Sequence, residues 1–377
     1  MTEAVKTTGA GLRNVVVGES QISSIDGARG ILAYRGIDIH DLAKHSTFEE
    51  VVFLLHRGAL PTGSELEAFR RDLAAARGVP EEVVAILRLL PQGTHPMTSL
   101  RTAVSALGAF ESEASDESTP ARQQKALRLT AQMATVVALV ERVRSGQEPV
   151  APRADLPHAS NFLFMLRGAP PSASAARAMD IALVLHADHE FNASTFAARV
   201  AASTLADIHG AITAALATLK GPLHGGANEA VMKTLEAVGR PERAESWIRE
   251  ALEQKKKLMG FGHAVYRTED PRATHLREIS RRLGEETGDS RWYELSVRIE
   301  ALVKQLKGLN ANVDFYSASV YHSLGIKTDL FTPVFAVSRV AGWTAHVLEQ
   351  LANNRLIRPE SEYTGPRGVP YVALGER

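Results

Sequence analysis

The chain has 377 residues and no cysteine. Disulfides, thiolate metal sites and cysteine nucleophiles are thereby excluded, and the composition agrees with a reducing compartment. Net charge is also missing: 43 Lys and Arg stand against 43 Asp and Glu. No global field draws the protein to nucleic acid or an anionic membrane, so any anion must be held by a local arrangement. No apolar run approaches the ~20 residues of a membrane span, and the opening MTEAVKTTGAGLRN has no apolar signal core. The expectation is a cytoplasmic protein without membrane or nucleic-acid partners. There is no Gly-x-x-x-x-Gly-Lys-Ser/Thr phosphate loop and no Gly-x-Ser-x-Gly elbow.

What is present is ordinary for a folded protein: 45% hydrophobic and 23% charged residues. The length exceeds what one core usually serves and favours about two domains. Residues 12–37 mix β-branched residues with Gly and Asp-Gly, the pattern of a few short strands and turns. Nearly everything after that has apolar residues at helical spacing: 48–56, 65–76, 81–90, 122–143, 175–185, 228–238, 241–258, 273–283, 291–307 and 333–351. Residues 194–219 are so rich in Ala, Ile, Leu and Val that one long core helix is expected. With no repeat and no βαβ alternation, the fold class is all-α. Gly221-Pro222 and the turn at Gly325 punctuate the pattern. They suggest a small helical domain, 222–325, inserted into a large helical domain formed by 1–221 and 326–377.

Four segments could carry chemistry. In GPLHGGANE at 221–229, His224 lies between a long apolar helix and a new helix start, with Gly225 and Gly226 permitting close backbone approach. It is either a packed structural histidine or one presented to an anion. Next, Lys255, Lys256 and Lys257 end a helix ahead of Gly260-Phe261-Gly262, which presents His263 with Arg267 beyond it. Backbone amides and cations suit a phosphorylated ligand, although lysines in a last turn also simply complement a helix dipole. Asp314 lies between Val313 and Phe315, where partial desolvation would make it a stronger base, or else it caps a helix. In HADHEFNAS at 186–194, His186 and His189 could share a helix face and, with His224, offer a metal site. Arg272, Arg339 and Arg358 are candidate carboxylate forks. Arg339 stands out, because a guanidinium in an apolar helix needs an anionic partner.

Taken together the chain resembles the citrate synthase family. The resemblance rests on DHEFNAS at 188–194, GPLHGGANE at 221–229, MGFGHAVY at 259–266, DPR at 270–272, ANVDFYS at 311–317, FTPVFAVSR at 331–339 and RLIRP at 355–359. It implies a two-domain helical homodimer that condenses acetyl-CoA with oxaloacetate and water, the entry step of the tricarboxylic acid cycle, with acetyl-CoA as substrate, no cofactor and no metal. Carried onto this sequence, it makes His224, His263 and Asp314 the catalytic trio. His189, Asn192, Arg272, Arg339 and Arg358 would bind oxaloacetate, supported by Ser194, with Arg358 donated across the dimer interface. Coenzyme A would meet Lys256, Lys257, Leu258, Met259, Gly260, Phe261, Gly262, Ala264 and Arg267. Ala311 departs from a proline common among relatives, which bears on the rigidity of the loop before Asp314. The chain lacks the extra N-terminal segment of longer, NADH-regulated relatives, so a dimer is expected rather than a hexamer. The rival readings are 2-methylcitrate synthase, using propionyl-CoA, and more remotely a metal-dependent hydrolase built on His186, His189 and His224.

Overall fold

A computed structural model describes residues 10–12, 15–111 and 116–377. Part of the expected strand region, residues 13 and 14, lies outside these. Three short strands, β1 (Ser23–Asp26), β2 (Ile31–Tyr34) and β3 (Ile37–Asp38), form an antiparallel meander in which Ser23 faces Tyr34 and Ala33 faces Asp38. Its first turn is shaped by the Asp26 carboxylate, which accepts from the amides of Ala28 and Arg29, and by Gly30 at φ +69°.

Sixteen α-helices follow among the described residues. The first eight are α1 (Ile39–His45), α2 (Phe48–Arg57), α3 (Gly63–Ala75), α4 (Glu81–Leu89), α5 (Pro96–Ala109), α6 (Thr119–Arg144), α7 (His158–Arg167) and α8 (Ala173–His186). After them come α9 (Ala193–Ser203), α10 (Ile208–Leu219), α11 (Ala227–Val238) and α12 (Ala244–Glu253). The last four are α13 (Pro271–Thr287), α14 (Arg291–Lys307), α15 (Val313–Ser323) and α16 (Phe331–Ala352). The architecture is all-α, as the spacing of apolar residues indicates.

Two expected helices differ. The single helix over 194–219 is two, α9 and α10, packed on each other. Leu205 takes a left-handed φ of 63°, and Asp207 then caps α10 by accepting from the Gly210 amide at 2.9 Å. An Asp at the cap competes with continued helix, and apolar content alone does not register it. The helix expected over 241–258 is a 3-10 turn plus α12, which stops at Glu253. Lys255 has φ 55°, so the three lysines lie beyond the helix and not in its last turn.

Helix α16 is the centre of the larger helix cluster, packing on α2, α6, α8, α9 and α10. A second cluster joins α13, α15, α11 and α14, with α12 on α14; α13 also touches α1 and α8. Where α16 passes the end of α8 the backbones nearly touch. The Gly342 amide donates to Ala187 O at 3.1 Å, and a Cβ on Gly342 would lie 2.3 Å from Asp188 Oδ1 and 2.4 Å from Ala187 O. Gly342→Ala is therefore expected to cost about 1–3 kcal/mol of stability through overpacking. A lower urea midpoint with unchanged far-ultraviolet circular dichroism checks this.

Candidate active site

The turn between α8 and α9 is fixed before any ligand arrives. Buried Asp188 accepts from the Ser23 hydroxyl and from the Glu190 amide, and lies 3.2 Å from His346 Nε2. The Tyr34 hydroxyl donates to Asp188 O at 3.0 Å and accepts from the Asp188 amide. Burial pushes the Asp188 carboxyl up, but His346, Arg339 and the Ser23 bond outweigh it and hold the group below the usual carboxylate range. This anchoring carries Glu190 at a left-handed φ of 47° and aims the buried His189 ring, whose Nε2 hydrogen-bonds with the Tyr266 hydroxyl at 3.1 Å. The His189 and His263 rings are 5.1 Å apart, edge to face. Burial, then the charge of Arg272, keeps His189 neutral.

His224 sits after the sharp turn that ends α10. Gly225 makes that turn fit: a Cβ there would lie 2.3 Å from Leu219 O. The Ser194 amide donates to His224 Nε2 at 3.3 Å, and Ser194 Oγ is 2.8 Å from the same nitrogen. A nitrogen that accepts from a backbone N–H carries no proton, so the proton is assigned to Nδ1. Asn192 caps α9, and its Oδ1 lies 2.8 Å from Ser194 Oγ, while Trp343 Nε1 donates to that oxygen; with His224 Nε2 unprotonated, the single hydroxyl proton of Ser194 is the one available to that nitrogen. Asn192 thus spends its carbonyl on the protein.

His263 is oriented in the same manner from the other side. Its Nδ1 accepts from the amides of Val265 and Tyr266 at 3.0 and 3.2 Å, which assigns the proton to Nε2. Burial brings both His224 and His263 down to about 4, with Arg339 adding to the first and Arg272 to the second. Each is a neutral, oriented donor at neutral pH.

The segment after α12 is zipped to the segment before α15. The Gly262 amide donates to Asn310 O, the Asn312 amide to Gly260 O, and Asn312 Nδ2 to Gly262 O, all at 2.9 Å. Gly260 is required: at φ +81° its Cβ would strike Val231 and Phe315. The Phe261 and Phe315 rings are 4.5 Å apart. Ala311, paired with Phe261, contributes no N–H to these bonds. The ladder on either side holds the backbone at Ala311.

Asn312, not Asp314, caps α15, accepting from the Asp314 amide at 3.0 Å. The Asp314 carboxyl has no hydrogen-bond partner among the described residues, and burial pushes it up to about 6. Asp270 binds Arg272 through both oxygens at 2.9 and 2.8 Å and accepts from the Val313 amide, joining the starts of α13 and α15. Among the described residues Arg272 Nη1 has no hydrogen-bond partner. Buried Arg339 donates Nε to His186 O at 2.7 Å and stacks on Phe335, with neither Nη hydrogen-bonded to protein. Burial brings its guanidinium down to about 10.

Trp343, Tyr266, Asp188 and Asp270 carry no assignment from the sequence, although Asp270 before Pro271 is a readable cap signal; His346, which the sequence assigns to packing or capping, lies 3.2 Å from Asp188. Lys255, Lys256, Lys257, Ala264 and Arg267 are exposed, and these four cations make no side-chain bond among the described residues. Leu258 and Met259 pack on the core. Arg358 is exposed on the stretch beyond α16 and is not drawn into the site by its own chain. Among the described residues no three His, Asp or Glu side chains are arranged to hold a metal. His186 is walled in by Tyr321 and Phe335, which removes it from the metal reading.

Two oriented neutral imidazoles, a desolvated carboxyl and guanidinium ends without partners define an enzyme of acid–base chemistry on a small anionic substrate, set in an all-helical fold. The comparisons narrow the class. The family profile described as citrate synthase, C-terminal domain, matches residues 11–360. Citrate synthase 2 of Bacillus subtilis is 52% identical over 98% of this chain and 100% of its own length. The crystal structure of citrate synthase from Pyrobaculum aerophilum superposes with a TM-score of 0.93 at 41% identity, covering 100% of both chains. A ternary complex of the Thermoplasma acidophilum citrate synthase with carboxymethyl coenzyme A and oxaloacetate gives 0.92 at 35% identity, covering 98% and 99%. The chain belongs to the citrate synthase family and is a transferase.

A buried cation without a counter-ion destabilises, and an anion that supplies one stabilises by mass action. Arg339→Gln is expected to leave the ligand-free protein within about 1 kcal/mol of the parent. The rise in thermal midpoint caused by oxaloacetate should disappear. Scanning calorimetry with and without oxaloacetate measures both.

Proposed function

We propose that the protein condenses acetyl-CoA with oxaloacetate and water to give citrate and CoA. The observation that carries this is a half-buried Asp314 carboxyl without a hydrogen-bond partner among the described residues, together with two imidazoles whose protonated nitrogens are fixed as donors. Asp314 removes a proton from the thioester methyl. Raising its pKa from 3.8 to about 6 contributes about 3 kcal/mol of driving force, and the rest must come from stabilising the enolate. His224 Nδ1–H does this at the thioester oxygen, as a neutral donor at no cost of reorganisation. His263 Nε2–H polarises the ketone of oxaloacetate and protonates the alkoxide as the carbon–carbon bond forms. The free ends of Arg272 and Arg339, with His189, hold the dicarboxylate in line for attack. Water then hydrolyses citryl-CoA in the same site.

The two helix clusters support a division into a large domain of 1–221 and 326–377 and a small one of 222–325. Arg339 and Arg272 lie on opposite sides of that division, so oxaloacetate bridging them favours a closed form. The exposed cations at 255–257 and Arg267 suit the phosphates of coenzyme A, with the amides of 258–264 beside them. Arg358, exposed on its own chain, completes the site of a twofold partner in a cytoplasmic homodimer. A 2-methylcitrate synthase of Shewanella oneidensis is 44% identical over 99% of this chain. One methylene changes pocket binding by only about 1–3 kcal/mol, so the ratio of kcat/KM for acetyl-CoA and propionyl-CoA decides the acyl preference.

The base must be ionised, so kcat/KM is expected to fall tenfold per pH unit as pH drops below about 6. The histidines, neutral down to about 4, add nothing to that limb. Asp314→Asn should lower turnover by orders of magnitude with little change in thermal midpoint. Near-normal turnover would remove Asp314 from the base role.

Sharing of Arg358 predicts complementation. Asp314→Asn and Arg358→Ala homodimers should each be nearly inactive. Unfolded and refolded together, about half the dimers are mixed and each mixed dimer has one intact site, so roughly a quarter of wild-type activity should return. A dimeric mixture no more active than its parents shows that Arg358 acts on its own chain or not at all.

A further inference from the structure

The half-buried Asp314 carboxyl has no hydrogen-bond partner among the described residues, and the protein also holds two fully buried polar groups, on α15 and α8, that lack one. The Tyr321 side chain is 0% exposed, and its hydroxyl has no partner. His186 is also 0% exposed; its Nδ1 lies 2.7 Å from Ala182 O and donates to it, which leaves Nε2 a bare acceptor without a partner. A buried hydroxyl and a buried ring nitrogen left unpaired cost about 1–3 kcal/mol each, and on neighbouring rings one shared occupant would relieve both.

Tyr321 lies about two turns beyond Asp314 on α15, on the same face. A tyrosine on a helix leans toward the N-terminus, so the phenol is directed toward Asp314, whose charge acts on it. The ring packs against Phe331 at 5.4 Å, and its centroid is 6.2 Å from that of His186. The Tyr321 ring thus lies near the His186 ring and its hydroxyl feels the charge of Asp314, and it bonds directly to neither among the described residues. Burial first, and then the charge of Asp314, raise the phenol pKa, so the hydroxyl stays protonated throughout the working range.

We propose that Tyr321 is a positioning residue for the base: its hydroxyl and His186 Nε2 hold one buried water that donates a hydrogen bond to the Asp314 carboxylate. Every group is then satisfied. Tyr321 donates to the water oxygen, and the two water protons go to His186 Nε2 and to the carboxylate, the two to four partners that a buried water requires. The bond stabilises the charged form of Asp314. It therefore offsets part of the upward push from burial and from neighbouring Asp270, and keeps the base ionised at neutral pH while leaving it stronger than a free carboxylate. The other charged groups acting on the carboxyl are Arg272 at the start of α13 and Arg339 on α16. His186, neutral down to about 3, does not titrate in the range concerned.

This rests on Asp314 being the base, and the test separates the two. Tyr321→Phe keeps the packing and deletes the donor. The acidic limb of the kcat profile should move to higher pH by about half a unit or more, with KM for oxaloacetate and turnover at pH 8 little changed. A merely packed Tyr321 leaves the limb where it was, and a superimposable profile overturns the proposal. His186→Asn can keep the bond to Ala182 O while removing the acceptor. Its shift, combined with Tyr321→Phe, should be no larger than the single shift; additive shifts overturn the shared water. If Asp314→Asn is inactive and Tyr321→Phe has an unmoved limb, the role of Tyr321 alone fails. If Asp314→Asn remains active, the base assignment fails and takes this proposal with it.

Discussion

Two guanidinium groups, those of Arg272 and Arg339, lie in the interior with hydrogen-bonding ends that the chain does not satisfy. Arg272 is balanced by Asp270, which grips it through both oxygens. Arg339 has a single backbone acceptor, an aromatic face and the more remote Asp188. The positive charge of the two groups acts on the titratable side chains beside them. It adds to burial in holding His189, His224 and His263 neutral, and it works against burial at Asp314.

Neutral histidines are useful only if the proton is on the correct nitrogen, and here the backbone decides. The Ser194 amide occupies Nε2 of His224, and two consecutive amides occupy Nδ1 of His263. These donors cannot rotate away, since they belong to the first turn of α9 and to the loop leading into α13. The two rings therefore keep opposite tautomers without a carboxylate partner for either. The same economy holds for Asp314, which Asn312 relieves of capping duty, leaving the carboxyl free for chemistry.

Much of this was legible in the chain. Apolar spacing gave the helices, and the extents of α14 and α16 follow it closely, because long amphipathic or buried segments carry a strong periodic signal. The ordered motifs named the family, and in the structure the charges of Arg272 and Arg339 both act on Asp314. The failures came where one residue overrides a pattern: Asp207 starts a second helix inside an apolar run, and Lys255 turns left-handed before the cation cluster.

What the sequence determined by itself was composition, helical class and the residue types brought to the site, since these follow from local spacing and side-chain chemistry. Tertiary structure alone decided protonation and orientation. Asp188 with His346, Ser194 with His224, Gly342 against Ala187, and Tyr321 beside His186 are pairs far apart in the chain. Their effects depend on burial and on distances of a few ångströms, and no local pattern encodes either.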